Sequence, residues 1–150
     1  MALLRMDNTG IVFDDLDAGV AFFAELGMEL EGRGHIEGSW ADGVIGLQGA
    51  SVDVAMMRTP DGHSRLELSK FQAPEVIPTL PDPRPVNALG LLRVMFTVDD
   101  IDDTVARLQA RHGAELVGNI EQYEDIYRLC YMRGPEGVLV GIAQPLGGNE

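Results

Sequence analysis

The chain has little with which to build covalent or metal-bound chemistry. Its 150 residues include one cysteine, Cys130, so no disulfide can close within the chain. A buried core thiol in a reducing, cytoplasmic setting is the simplest expectation. There are three histidines, His35, His63 and His112. They do not cluster, and no metal triad is visible. His35 lies in a Gly-rich segment expected to be a loop. His63 follows a turn, and His112 sits at a helix end, where His suits the dipole. No apolar run approaches the roughly 20 residues that cross a bilayer. The start, Met1-Ala2-Leu3-Leu4-Arg5, lacks a basic segment followed by a long apolar core, so a secretion leader is not expected. Basic residues are scarce, 11 against 24 acidic ones, for a net charge of −13. Nucleic acid phosphates would be repelled by that balance. A cationic partner is compatible with it, although an acidic surface that keeps the protein soluble is the simpler account.

What the chain does have is a repeat. Val12-Phe13-Asp14-Asp15-Leu16-Asp17-Ala18 returns as Thr97-Val98-Asp99-Asp100-Ile101-Asp102-Asp103. Leu16, Val20 and Phe23 recur as Ile101, Val105 and Leu108 at one constant offset. Each copy is an apolar run, an Asp pair and an amphipathic stretch that ends near Gly27 or Gly113. The Asp residues suit helix starts, where carboxylates accept orphan N–H bonds and meet the positive end of the dipole. Neither Asp cluster is therefore read as a metal site.

The pattern predicts strands over 8–13, 28–32, 52–57 and 64–70, with a helix over 15–26 and a loop or partial helix over 33–50 that holds Trp40. Pro60-Asp61-Gly62 is a turn. Five of the eight prolines, Pro74, Pro78, Pro81, Pro83 and Pro85, fall in 72–90, a stiff extended linker. The second copy predicts strands over 91–98, 115–120, 127–132 and 138–144, a helix over 100–111, and a turn at Gly134-Pro135-Glu136-Gly137. The expected class is α+β: two tandem βαβββ modules, 1–71 and 91–150, forming an eight-stranded cup with helices outside. Such a cup suits a small-molecule ligand.

Strand alternation sorts the faces. Asn8 and Arg93 are matching positions on the first strands of the two copies, and Glu67 and Gly141 match on later strands. Arg65 shares the Glu67 face, and Met95 shares the Arg93 face. Trp40, Tyr123 and Tyr127 are aromatics suited to stacking on a flat ligand.

The segments Asn8-Thr9-Gly10-Ile11-Val12, Leu66-Glu67-Leu68, Met95-Phe96-Thr97-Val98-Asp99-Asp100-Ile101 and Gly134-Pro135-Glu136-Gly137 resemble the vicinal oxygen chelate superfamily over nearly the whole chain. That group includes glyoxalase I, epimerases, extradiol dioxygenases and bleomycin-binding proteins. The resemblance implies the glyoxalase/bleomycin-resistance fold and a homodimer. It also implies a divalent metal held by side chains from four strands, which map here onto Asn8, Glu67, Arg93 and Gly141. Glu67 fits and Asn8 is a weak donor. Arg93 cannot deprotonate, and Gly141 has no side chain. A catalytic site needs about three protein ligands, so no metal and no other cofactor is expected; a metal, if held, would rest on Glu67 and Asn8. Glu67 and Arg93 become the candidate catalytic pair, with the guanidinium standing where the family keeps its ion. Asn8, Arg65, Trp40, Met95, Tyr123 and Tyr127 are the candidate ligand-binding residues. Three functions compete: a metal-free small-molecule protein that binds, sequesters or modifies a ligand; a metal-dependent glyoxalase-like lyase, epimerase or dioxygenase; and a regulatory domain with a vestigial cup. No nucleic acid or membrane partner is expected.

Overall fold

The computed structural model describes residues 2–80 and 82–147; Met1, the linker residue Pro81 and residues 148–150 lie outside the described residues. The chain divides into two compact units, Met1–Ile77 and Pro78–Glu150.

The first unit runs β1 (Thr9–Val12), α1 (Leu16–Leu26), β2 (Glu29–Glu37), α2 (Ser39–Ile45), β3 (Ser51–Arg58) and β4 (Arg65–Ala73). Its sheet has the order β1-β4-β3-β2, with β1 parallel to β4 and the other pairs antiparallel. Helix α1 starts where the Asp pair predicts. Asp15 is extended, and its side chain accepts from the Ala18 amide at 3.1 Å. It ends at Gly27, whose φ of 119° few other residues adopt. One face of α1 is buried through Phe22 and Phe23, against Leu66 and Leu68 on the same side of the sheet. Phe23 meets Phe22 and Phe13 edge-on, at centroid distances of 5.2 and 6.4 Å. Burying each such ring stabilises the unit by about 2–3 kcal/mol. Gly19 is required there: a Cβ at that position would lie 2.8 Å from the Phe13 ring.

Two expectations for this unit are corrected. Strand β2 extends from Glu29 to Glu37 instead of stopping at residue 32, so His35 is on a strand and not in a loop. Gly32 and Gly34 read as a loop in sequence, yet both pair with β3 across from Met56 and Val54. The rest of the expected loop or partial helix is helical over Ser39–Ile45, as α2, which carries Trp40. Asn8 falls just before β1 instead of within it.

The second unit runs β5 (Arg93–Thr97), α3 (Ile101–His112), β6 (Glu115–Leu116), β7 (Glu121–Tyr123), β8 (Tyr127–Arg133), a single 3-10 turn (Pro135–Gly137) and β9 (Leu139–Pro145). Its sheet order is β5-β9-β8-β6, with β7 also paired to β8. The sheet therefore has five strands where four were expected, and the described residues hold nine strands instead of eight. Glu121-Gln122-Tyr123 is too short and too polar to announce a strand. It pairs because a turn at residues 124–126 folds it back onto β8. The expected strand over 115–120 shrinks to two residues. Helix α3 repeats α1: Asp100 accepts from the Asp103 amide at 3.0 Å, Gly113 closes the helix, and Ile101, Val105 and Leu108 are buried. Cys130 is buried and free, and that burial pushes its thiol pKa up.

Candidate functional site

Each sheet has one face under its helix and one face free of it. On the first sheet, Leu66 and Leu68 alternate toward α1, which leaves Arg65, Glu67 and Ser69 on the other side. Glu67 is half-buried, flanked by Gly10 on β1 and Met56 on β3. Within its unit it makes no hydrogen bond or ion pair among the described residues. Asn8 turns to its neighbour, and its amide donates to Asp7 Oδ2 at 3.2 Å. Arg65 is already engaged. It donates to both oxygens of Glu31, at 2.9 and 3.2 Å, and Arg58 pairs with Glu29 at 2.9 Å alongside. The Arg65 fork holds the Glu31 carboxyl below its usual pKa, and Glu31 raises that of Arg65 in return. Glu31 is a residue that sequence reasoning missed. Its partner lies 34 positions away, across a register shift between Leu30 and Gly32.

On the second sheet, Arg93, Met95 and Thr97 pair with Leu139, Gly141 and Ala143 of β9. Gly141 and Ala143 in turn face Tyr131 and Leu129 of β8. Phe96, Cys130, Val140 and Ile142 alternate to the helix side. Because Gly141 has no side chain, the row is low at its centre, and the neighbouring Met95 leans into the gap. A Cβ on Gly141 would meet Met95 Cε at 2.5 Å. The Arg93 guanidinium carbon lies 4.9 Å from the Tyr131 ring centroid, a cation–π arrangement. Tyr127 is on the same face, packed on Tyr123 with centroids 5.9 Å apart. Of the expected ligand-binding residues, Met95, Tyr123 and Tyr127 thus share one unit with Arg93. Trp40 is 64 % exposed on α2 and belongs to the other unit.

The chain matches the Glyoxalase/Bleomycin resistance protein/Dioxygenase superfamily profile over residues 5–142. It belongs to that superfamily. Among solved structures it is similar to a glyoxalase family protein from Bacillus cereus, with 57% identity, 98% of this chain and 97% of that chain covered, and a TM-score of 0.93. Two more distant structures share the fold. One is TnmS3, an antibiotic binding protein from Streptomyces sp. CB03234, with 21% identity, 97% and 98% covered and a TM-score of 0.61. The other is the trypanothione-dependent glyoxalase I of Leishmania major, with 15% identity, 95% and 87% covered and a TM-score of 0.65. No curated protein matches.

The divalent metal that this superfamily resemblance implies does not fit the residues present. The second unit supplies no donor at either expected position: Arg93 is a cation, and Gly141 is bare beneath the Met95 thioether. The first unit supplies Glu67 and the already-bonded amide of Asn8. Two donors fall short of the three that a catalytic ion needs. Among the described residues no group of three His, Cys, Asp or Glu side chains can hold an ion.

A separate cleft of about 860 Å³ opens in the first unit, beside the start of α1. Its lining includes Asp14, Asp17, Arg33, His35, Asp53 and Lys70, and none of the expected site residues reaches it. Its charges satisfy one another. Lys70 meets Asp14 at 2.5 Å and Arg33 meets Asp17 at 3.0 Å. The His35 ring lies between Asp53 on Nδ1 and Glu37 on Nε2, both at 2.6 Å. Gln72 donates to the second oxygen of Asp53 at 2.8 Å. The carboxylates of Asp53 and then Glu37 raise the His35 pKa, and His35 followed by Gln72 lowers that of Asp53. The signal in sequence was alternation: His35 and Glu37 share a face, as do Ser51 and Asp53, but only a strand reading of 33–37 reveals it. His63 is exposed just past the Asp61 turn, and His112 ends α3 as expected.

Proposed function

We propose that this superfamily member binds and handles a small organic ligand without a resident metal ion. The observation that supports this reading is the Met95–Gly141 contact. The strand position from which the family would offer a carboxylate carries no side chain, and its space is filled by a thioether. A guanidinium at position 93 supplies positive charge by other means, fixed and always protonated. Such a cation can hold a carboxylate, phosphate or enolate oxygen of a ligand. TnmS3, described as an antibiotic binding protein, shares the fold, and that description supports a binding role.

Under this reading Arg93 of the second unit orients or acts on the ligand beside Met95, Tyr123 and Tyr127, and Glu67 with Asn8 are the candidate groups of the first unit. Arg65, committed to Glu31, sets the charge around Glu67. The protein is expected to act in the cytoplasm as a homodimer, which light scattering of the purified chain checks. Thermal-shift screening of the full chain tests the reading itself. Organic ligands are expected to raise the unfolding temperature; zinc, nickel, manganese and iron(II) are not. Stabilisation by one of those ions, saturating at one per chain, contradicts it. A double-mutant cycle on Glu67→Gln and Arg93→Met, read as ligand affinity, tests whether the two groups act together: non-additive losses are expected, and strict additivity separates their roles.

A further inference from the structure

We propose that the helix-free face of the second sheet binds a flat aromatic carboxylate, with the carboxylate on Arg93 and the ring among the tyrosines of β8; this deepens the reading above and rests on it. The first observation is electrostatic. In a chain of net charge −13, basic side chains find acidic or carbonyl partners easily. In the second unit Arg107 takes Asp103, Arg128 takes Asp102, Arg84 takes the Leu91 carbonyl, and Arg133 takes the carbonyls of Gly137 and Arg84. Arg93 has no such partner within its unit among the described residues; it rests on the Tyr131 ring. A guanidinium stacked on an aromatic ring keeps its in-plane N–H donors free, in the fork that matches a carboxylate.

The second observation is shape. Tyr127 and Tyr131 lie on the same side of β8, four residues apart, so their backbones are about 13 Å apart. The floor between them is apolar, built from Leu129 and the Ala143 that pairs with it, and Gly141 lies across from Tyr131. Met95 covers Gly141 with a flexible, polarisable thioether that suits contact with aromatic rings. A one- or two-ring ligand fits that span, stacked toward a tyrosine at either end. The Arg93 guanidinium selects against a positively charged ligand and favours an anionic one. Arg133, in the same cross-strand row, is committed to the carbonyls of Gly137 and Arg84, and a single available guanidinium favours one carboxylate over a highly charged phosphate ester.

Calorimetry of the full chain with three probes of one shape tests this: 2-naphthoate, 2-naphthylmethanol and 2-naphthylmethylammonium. The acid is expected to bind about tenfold or more tighter than the alcohol, and the ammonium weakest. Arg93→Met should lower affinity for the acid by about tenfold and leave the alcohol unchanged. Tyr131→Leu should weaken acid and alcohol alike. Unchanged binding of the acid to Arg93→Met overturns the proposal, as does equal binding of the ammonium. Equal binding of acid and alcohol, indifferent to Arg93, discards the carboxylate but leaves the metal-free small-molecule reading in place. If none of the three binds, the proposal falls. If a divalent ion then binds stoichiometrically, the reading beneath it falls too.

Discussion

The two units carry the same order of elements but fill it differently. Where the first places Phe13 against Gly19, the second, at the same offset, places Val98 and Thr104. A large and a small residue in one unit become two medium ones in the other, with Thr104 buried and its hydroxyl donating to the Asp100 carbonyl at 2.8 Å. Helix and sheet can thus be held together by different packing at roughly equal volume. The charges diverge as well. Around the first sheet the guanidinium and ammonium groups of Arg33, Arg58, Arg65 and Lys70 are each paired with a carboxylate. The second sheet holds a guanidinium on a ring and a glycine under a thioether. The repeat keeps the helix starts and changes the side chains around the sheets.

The packing contrast breaks most visibly when one unit's residue is placed in the other. Gly19→Thr puts a Cβ 2.8 Å from the Phe13 ring, and overpacking of this kind costs about 1–3 kcal/mol. Chemical denaturation should show that loss, and adding Phe13→Val should recover more than half of it. No recovery in the double variant would mean that the two positions are not exchanged as a pair.

Next in size is the shared feature. Asp15 and Asp100 cap their helices by equivalent bonds of 3.1 and 3.0 Å. Replacing either by Ala should cost about 1 kcal/mol, and the two losses should agree. Unequal losses would show that one helix start is held chiefly by other contacts, such as the Lys70–Asp14 pair.

The charge contrast gives smaller effects. Arg65→Met removes a two-pronged bond to Glu31 and should lower the unfolding temperature slightly, while Arg93→Met, without an acidic partner in its unit, should not.

The smallest effect is a pH dependence confined to the first unit. The His35 pKa lies above its unfolded value, so its stabilising contribution is present in full below the unfolded value and fades as pH rises through the folded one. Asp53 runs the other way, and its contribution is lost as pH falls through its lowered value. Unfolding monitored from acid to mildly alkaline pH should lose the histidine-dependent slope in His35→Gln. A slope that survives unchanged assigns it elsewhere.

Most of the scaffold was legible in the chain because its signals are local. An Asp pair before an apolar stripe fixes a helix start within four residues, and alternation over 64–70 fixes which side Glu67 takes. What was not legible depends on distant partners. Strand β2 hid behind Gly32 and Gly34, whose loop-like composition is overridden by pairing with β3. Helix α2 begins after Gly38 with no side-chain cap to announce it. The bond from Arg65 to Glu31 spans 34 positions, and the Met95–Gly141 contact spans two parallel strands separated by α3 and three further strands. The sequence says that position 141 lacks a side chain; it does not say what occupies the room.

The decisive measurement is the metal content of the full-length protein after equilibration with zinc, nickel, manganese and iron(II) and removal of free ions. The account predicts no stoichiometric metal with any of them. One tightly held ion per chain would contradict it.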